Sequence, residues 1–170
     1  DFGVHGSLAL NTHTAESDLD IVVYGAHNSR MLQKTIETLV KARRLSYVSN
    51  NRLDKLRRFK GRYQDKIFMY NAVRKPEEVT SKYGTHKFSA LAPVNFTCTV
   101  SGDSEAMFRP ALYKMAEYEP DDQTSELPEE KIPEVVVSMI GCYRNVARKG
   151  DRIKVAGTLE EVENVDTGTV

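Results

Sequence analysis

Val4-His-Gly-Ser-Leu-Ala-Leu-Asn-Thr-His-Thr-Ala-Glu-Ser-Asp-Leu-Asp-Ile-Val-Val-Tyr-Gly25 is the stretch on which the fold turns. From Asp18 to Tyr24 it is rich in β-branched residues and alternates in character, which predicts a buried strand with one polar edge, ended by Gly25. On such a strand Asp18 and Asp20 share one face, while Leu19, Ile21 and Val23 point to the other. Holding two anions beside an apolar strand is costly unless a cation or hydrogen-bond donors compensate. The pair therefore reads as a hard-cation site for magnesium, with manganese an acceptable substitute, bridging the oxygens of a nucleoside triphosphate such as ATP. A calcium loop is excluded, because it needs polar residues between its acids and a glycine turn soon after, and Leu19 and Ile21 stand there instead. Upstream, Gly6-Ser7 follows the apolar Phe2-Gly-Val4 as a turn leaving a strand would. Glycine lets the backbone approach a phosphate closely, and the amides after the turn, with the Ser7 hydroxyl, can hold anionic oxygens.

Downstream, Asn28-Ser29 supplies capping side chains for a helix carrying Leu32, Ile36, Leu39 and Val40 on one face. Arg52 to Arg62 reads as a second, shorter helix with Leu53, Leu56 and Phe59 at three-residue spacing, and Lys66 to Val73 as another strand. Beyond Pro93 the period changes toward two, with Val94 to Val100 alternating between Pro93 and Gly102. Glu119 to Pro133 is acidic and broken by prolines, an exposed connection; Pro133 to Ile140 and Gly150 to Gly157 resume strands. The fold class is α+β. A mixed sheet with flanking helices over residues 1–90 precedes a small antiparallel, barrel-like β domain over 91–170. The chain opens Asp1-Phe2-Gly3 without methionine and reaches Val170 with strand-like residues still running, so both ends read as cuts, the second domain included.

Lysine plus arginine and aspartate plus glutamate each number 24, so the formal charge is zero and a uniformly basic nucleic-acid coat is excluded. The balance hides a division: Lys41 to Lys75 carries +10 and Ser101 to Glu134 carries −7. Local field rather than total charge steers association, so the basic segment can face a polyanion such as RNA. Arg57, Arg58, Lys60 and Arg62 are the candidate phosphate contacts, and such binding weakens steeply with salt. Tyr63 and Tyr70 could stack bases, whereas core packing accounts for Phe68. No apolar run approaches the roughly 18 residues that cross a bilayer. Two cysteines, Cys98 and Cys142, and four scattered histidines supply neither a disulfide framework nor zinc spacing, which points to the cytoplasm. His5 and His13 flank the phosphate turn and read as structural or surface groups, and Asp1-Phe2-Gly3 lacks the other segments of a kinase. Oligomeric state is not legible.

Gly-Ser, ten residues, then Asp-x-Asp inside an apolar strand resembles the DNA polymerase beta-like nucleotidyltransferase superfamily; Gly6, Ser7, Asp18 and Asp20 match its motif position by position. The resemblance implies that Gly6 and Ser7 grip the terminal phosphates, that Asp18 and Asp20 hold magnesium, and that a third acid on a neighbouring strand completes the site. It implies nucleotidyl transfer from a nucleoside triphosphate to an acceptor hydroxyl, the acceptor being a polynucleotide or another alcohol. The third acid is the departure. Asp65 stands at the entrance of the next strand, Asn71 occupies an interior position where an acid is expected, and Asp103 and Glu105 lie further on. Asparagine lacks the charge for a strong magnesium site. The alternative is a noncatalytic RNA- or DNA-binding module on a degenerate nucleotidyltransferase fold.

Overall fold

The computed structural model describes residues 1–169; Val170, to which the second domain read from the sequence extends, lies outside them. By contact the chain divides into two compact units, one of Asp1–Glu78, Ser104–Leu112 and Val137–Val146, the other of Val79–Asp103, Tyr113–Val136 and Ala147–Val170.

The first unit is built on a five-stranded sheet ordered β1-β2-β5-β4-β3, from β1 (Phe2–Val4), β2 (Leu19–Tyr24), β3 (Ser46–Tyr47), β4 (Lys60–Tyr63) and β5 (Lys66–Val73). β5 lies parallel to β2, with Asp20 opposite Met69 and Val22 opposite Asn71, while β1 and β4 pair antiparallel. A short helix, α1 (Gly6–Ala9), follows β1, and the long α2 (Ala26–Lys41) follows β2. Leu32, Ile36 and Val40 of α2 pack over Val23, Tyr70 and Ala72, the face opposite the acids. Burying a side chain such as Ile36 contributes on the order of 1.5–3 kcal/mol, which fixes the strand face against slippage by one residue. Met107 and Phe108, from the returning segment 104–112, are both buried in this same core.

Two local expectations are corrected. α2 begins at Ala26, and Asn28 and Ser29 cap nothing: they donate back to the carbonyls of Tyr24 and Gly25, at 2.8 and 2.9 Å. The helix end is held instead by Glu78, whose carboxylate accepts from the Ala26 and Lys75 amides at 2.9 and 3.0 Å. The basic segment is only half helix. α3 (Arg52–Arg57) is capped by the Asn51 side chain, which accepts from the Asp54 amide at 2.9 Å. It stops because Arg58 turns left-handed at φ 56°. Lys60 to Tyr63 then forms a two-residue hairpin with Lys66 to Met69, where strand pairing outweighs three-residue apolar spacing and Gly61 disfavours helix.

The second unit is organised on a four-stranded sheet ordered β8-β7-β6-β9, from β6 (His86–Glu105), β7 (Ala111–Pro120), β8 (Val135–Ser138) and β9 (Arg152–Asn164). β6 and β9 pair antiparallel from His86 opposite Asn164 to Thr99 opposite Arg152, with a bulge between Ala90 and Ala92. Val94, Phe96 and Cys98 face its core against Ile153, Val155 and Met115. A linear four-stranded sheet is what this pairing supports; barrel-like closure goes beyond it. No helix among the described residues is long and apolar enough to cross a membrane.

Candidate active site

Strand alternation sets Asp18 and Asp20 on the face of the sheet away from α2, as the sequence predicts, and brings His5, Lys60, Met69 and Asn71 to that same face. The Gly6-Ser7 turn closes onto it. His5 donates its amide to the Asp20 carbonyl at 3.1 Å, so the chain leaves β1 directly against β2. Gly6 then takes φ +65°, and a Cβ built there would lie 2.3 Å from Asp20 Oδ2. Glycine is favoured on both counts, since that angle costs other residues about 1–2 kcal/mol and a Cβ would push the Asp20 carboxylate aside. Ser7 accepts from the Thr12 amide through its carbonyl at 2.9 Å, while its hydroxyl makes no hydrogen bond among the described residues.

The two carboxylates differ. Asp18 is 46% exposed and lies 3.3 Å from the Lys60 ammonium. A hydrogen bond from its own backbone amide, then that of Lys60, holds its carboxyl below the usual carboxylate range. Asp20 is half-buried and its carboxylate makes no hydrogen bond or ion pair among the described residues. An anion left without donors against a glycine turn, next to one that already attracts an ammonium, is a donor set that fits a hard cation. The remaining coordination positions would fall to phosphate oxygens and water, because no group of three or more acids, histidines or cysteines gathers among the described residues. Beside Asp18 a pocket of about 220 Å³ is lined by Leu8, His13, Thr14, Ser17, Leu19 and Lys66. Its rim is ordered by Lys66, which donates to the Ala15 carbonyl, and by Ser17, whose hydroxyl accepts from the Thr14 amide at 3.0 Å.

The candidates for a third acid disperse. Asp65 sits in the β4–β5 turn, four residues before the Met69 that faces Asp20, about 13 Å away along the strand. Glu105 is bound to Arg74, and Asp103 belongs to the second unit. Asn71 is on the acid face but is committed elsewhere: its amide lies 3.1 Å from His5 Nε2, and its Oδ1 accepts from Arg144 Nη2 at 2.8 Å. Arg144, 73 residues downstream of Asn71, is the site neighbour that the sequence reading missed. No local pattern announces it.

The basic residues also divide. Lys60 joins the acids. Arg62 is two residues along β4 and shares its face, whereas Arg58 is paired with Glu37 at 2.9 Å. Arg57 is 15% exposed, lies over Phe59 and is 3.4 Å from Asp54. Tyr70 is buried, packs edge-on to Phe59 and donates to the Arg58 carbonyl, so it is a core residue and not a stacking platform.

Comparison with known proteins gives one family: the model of the nucleotidyltransferase domain matches residues 1–84. An uncharacterized protein of Methanocaldococcus jannaschii is 27% identical over 181 aligned positions, covering 94% of this chain and 50% of the relative. The chain thus spans half the length of that relative. No solved structure matches the chain.

Proposed function

We propose, because the chain belongs through residues 1–84 to the nucleotidyltransferase family, that it moves a nucleotidyl group from a nucleoside triphosphate to an acceptor hydroxyl with magnesium at Asp18 and Asp20. The observation that supports this reading is the close approach of the Gly6-Ser7 turn to the acid wall, where a Cβ at Gly6 would displace the Asp20 carboxylate. The free hydroxyl of Ser7 and the amides of the turn would take the terminal phosphates. Lys60 would keep Asp18 ionised and, on nucleotide entry, transfer its ammonium to a phosphate oxygen. A bound magnesium ion would neutralise charge on the phosphate oxygens. The chain's own contribution is positioning, which needs few reactive side chains. The acceptor, RNA or another alcohol, would approach from the side of Arg62.

The test is titration of nucleoside triphosphates with and without magnesium, on the wild type and on Asp18→Asn/Asp20→Asn, with label transfer followed in the same samples. Magnesium-dependent binding that vanishes in the variant is expected; undiminished binding in the variant would remove the carboxylates from the mechanism. A second reading, a noncatalytic RNA- or DNA-binding module, is favoured by Asn71 standing where an acid is expected. Binding that survives chelation and falls with salt would select it.

A further inference from the structure

The segment Val137–Val146 returns to the first unit and delivers Arg144 to the Asn71 end of the acid face. Its placement is fixed by Asn145, which is fully buried. The Asn145 amide donates to the Ala106 carbonyl at 2.8 Å, its Nδ2 to the Arg57 carbonyl at 3.0 Å, and its Oδ1 accepts from Arg30 at 2.7 Å. One asparagine thereby ties the Arg144 backbone to α2, α3 and segment 104–112. Arg144 itself donates Nη2 to Asn71 and Nε to the Gly141 carbonyl at 3.3 Å, leaving Nη1 unengaged. Its guanidinium carbon lies 5.4 Å from the Phe59 ring centroid, as does that of Arg57. Burial, then the positive charges of Arg57 and Arg109, depress the affinity of Arg144 for its proton. No carboxylate is paired with Arg144 among the described residues, whereas Arg57 is paired through Nη1 with Asp54 at 3.4 Å, its Nε alone being buried without a partner. The contrast with Arg74, neutralised by Glu105, is direct.

A half-buried guanidinium such as that of Arg144, beside the like charge of Arg57 and with Nη1 unspent, is unfavourable unless an anion completes it. We propose that Arg144, with Arg57 beside it adding positive field, forms a phosphate-binding cradle that receives the phosphate chain of a nucleoside triphosphate at the Asn71 end of the acid face. The planar guanidinium offers paired donors to phosphate oxygens, and the chain Arg144–Asn71–His5 links the cradle to the Gly6 turn. Asn71 thus presents a fixed cation where a third carboxylate would have required a second metal to balance it. Arg109, exposed and without a partner among the described residues, adds a peripheral positive charge.

This assignment rests on the nucleotide-binding reading of the acid face, and tripolyphosphate titrated in the presence of a chelator separates the two, since it probes the arginines without metal or base. Wild-type protein binds it; Arg144→Gln weakens binding by about tenfold to a hundredfold, Arg144→Lys by less, and Asp18→Asn/Asp20→Asn leaves it intact or tighter. Arg109→Gln, at an exposed position, weakens it about threefold and serves as the independent variant if Arg144→Gln does not fold. No tripolyphosphate binding by the wild type, or equal binding by wild type, Arg144→Gln and Arg109→Gln, overturns the cradle even where magnesium-nucleotide binding depends on Asp18 and Asp20. Arg144-dependent binding without nucleotide transfer keeps the cradle and sinks the transferase.

Discussion

Asp18-Leu-Asp20, at the start of β2 in the first unit, and Glu119-Pro-Asp121, at the end of β7 in the second, are acid-x-acid pairs with opposite fates. In the second unit each acid has its own cation across the sheet: Arg152 pairs with Glu119, and Lys154 lies 3.1 Å from Asp121. The Arg152 hydrogen bond and charge hold the Glu119 carboxyl below its usual range, and the pair is spent in a solvent-exposed ladder. In the first unit Asp18 has Lys60, but Asp20 has no cation and is pressed against a glycine turn. The spacing of the acids is the same. What differs is whether the surroundings neutralise both charges or leave one without a partner among the described residues.

The sharpest way to break this comparison is to neutralise one acid in each pair. Asp20→Asn should reduce magnesium-dependent nucleotide binding by about a hundredfold or more, as expected on losing a charge-assisted ligand in a site of two, whereas Glu119→Gln should leave it unchanged. Calorimetric titration of both variants reads the difference, and equal losses would show that the pairs are not functionally distinct.

Glycines sharpen it next. Gly6→Ala forces a Cβ to within 2.3 Å of Asp20 Oδ2 at φ +65°, and should destabilise the protein by about 2 kcal/mol while weakening nucleotide binding. Gly157→Ala, in β9, meets nothing within 4 Å and should leave the melting temperature essentially unchanged. A Gly6→Ala variant that melts and binds like the wild type would place Asp20 away from the turn.

A smaller effect is expected at Lys60. The folded carboxyl of Asp18 is depressed, so its contribution to stability is present above the unfolded value of about 3.9 and is lost as pH falls through the lower folded value. Lys60→Gln should raise the Asp18 value toward the ordinary one, read by carboxyl chemical shifts in an acid titration, and shrink that contribution above about pH 4, where it is fully present. No movement of Asp18 would mean that its own backbone amide alone sets the shift. The smallest effect belongs to the exposed ladder: Arg152→Gln should not move the melting temperature measurably, and any loss should disappear in high salt.

Much of the first unit was legible because its signals are local. β2 and β5 come out within one residue of their periodicity, since a strand buried on one or both faces must alternate or run apolar. The pairing of Gly6 with Asp20 follows from one turn and one short loop. The end of α3 was not legible, because Leu53, Leu56 and Phe59 fit a helix and only pairing of Lys60 with Met69 decides against it. Nor was the cap of α2, which comes from Glu78 and not from the adjacent Asn28 and Ser29.

The sequence by itself determined which face of β2 bears the acids, that the Gly6-Ser7 turn precedes it, and that the second half is β-rich. These are consequences of side-chain alternation and glycine's freedom within about 25 residues. Only the tertiary structure decided that Met107, Phe108 and Asn145 belong to the first unit, that Asn71 meets an arginine, and that Asp20, unlike Asp18, Glu119 and Asp121, lacks a cation among the described residues. Those outcomes depend on long-range burial and on hydrogen bonds such as that of Asn145 to Ala106, which no local period encodes.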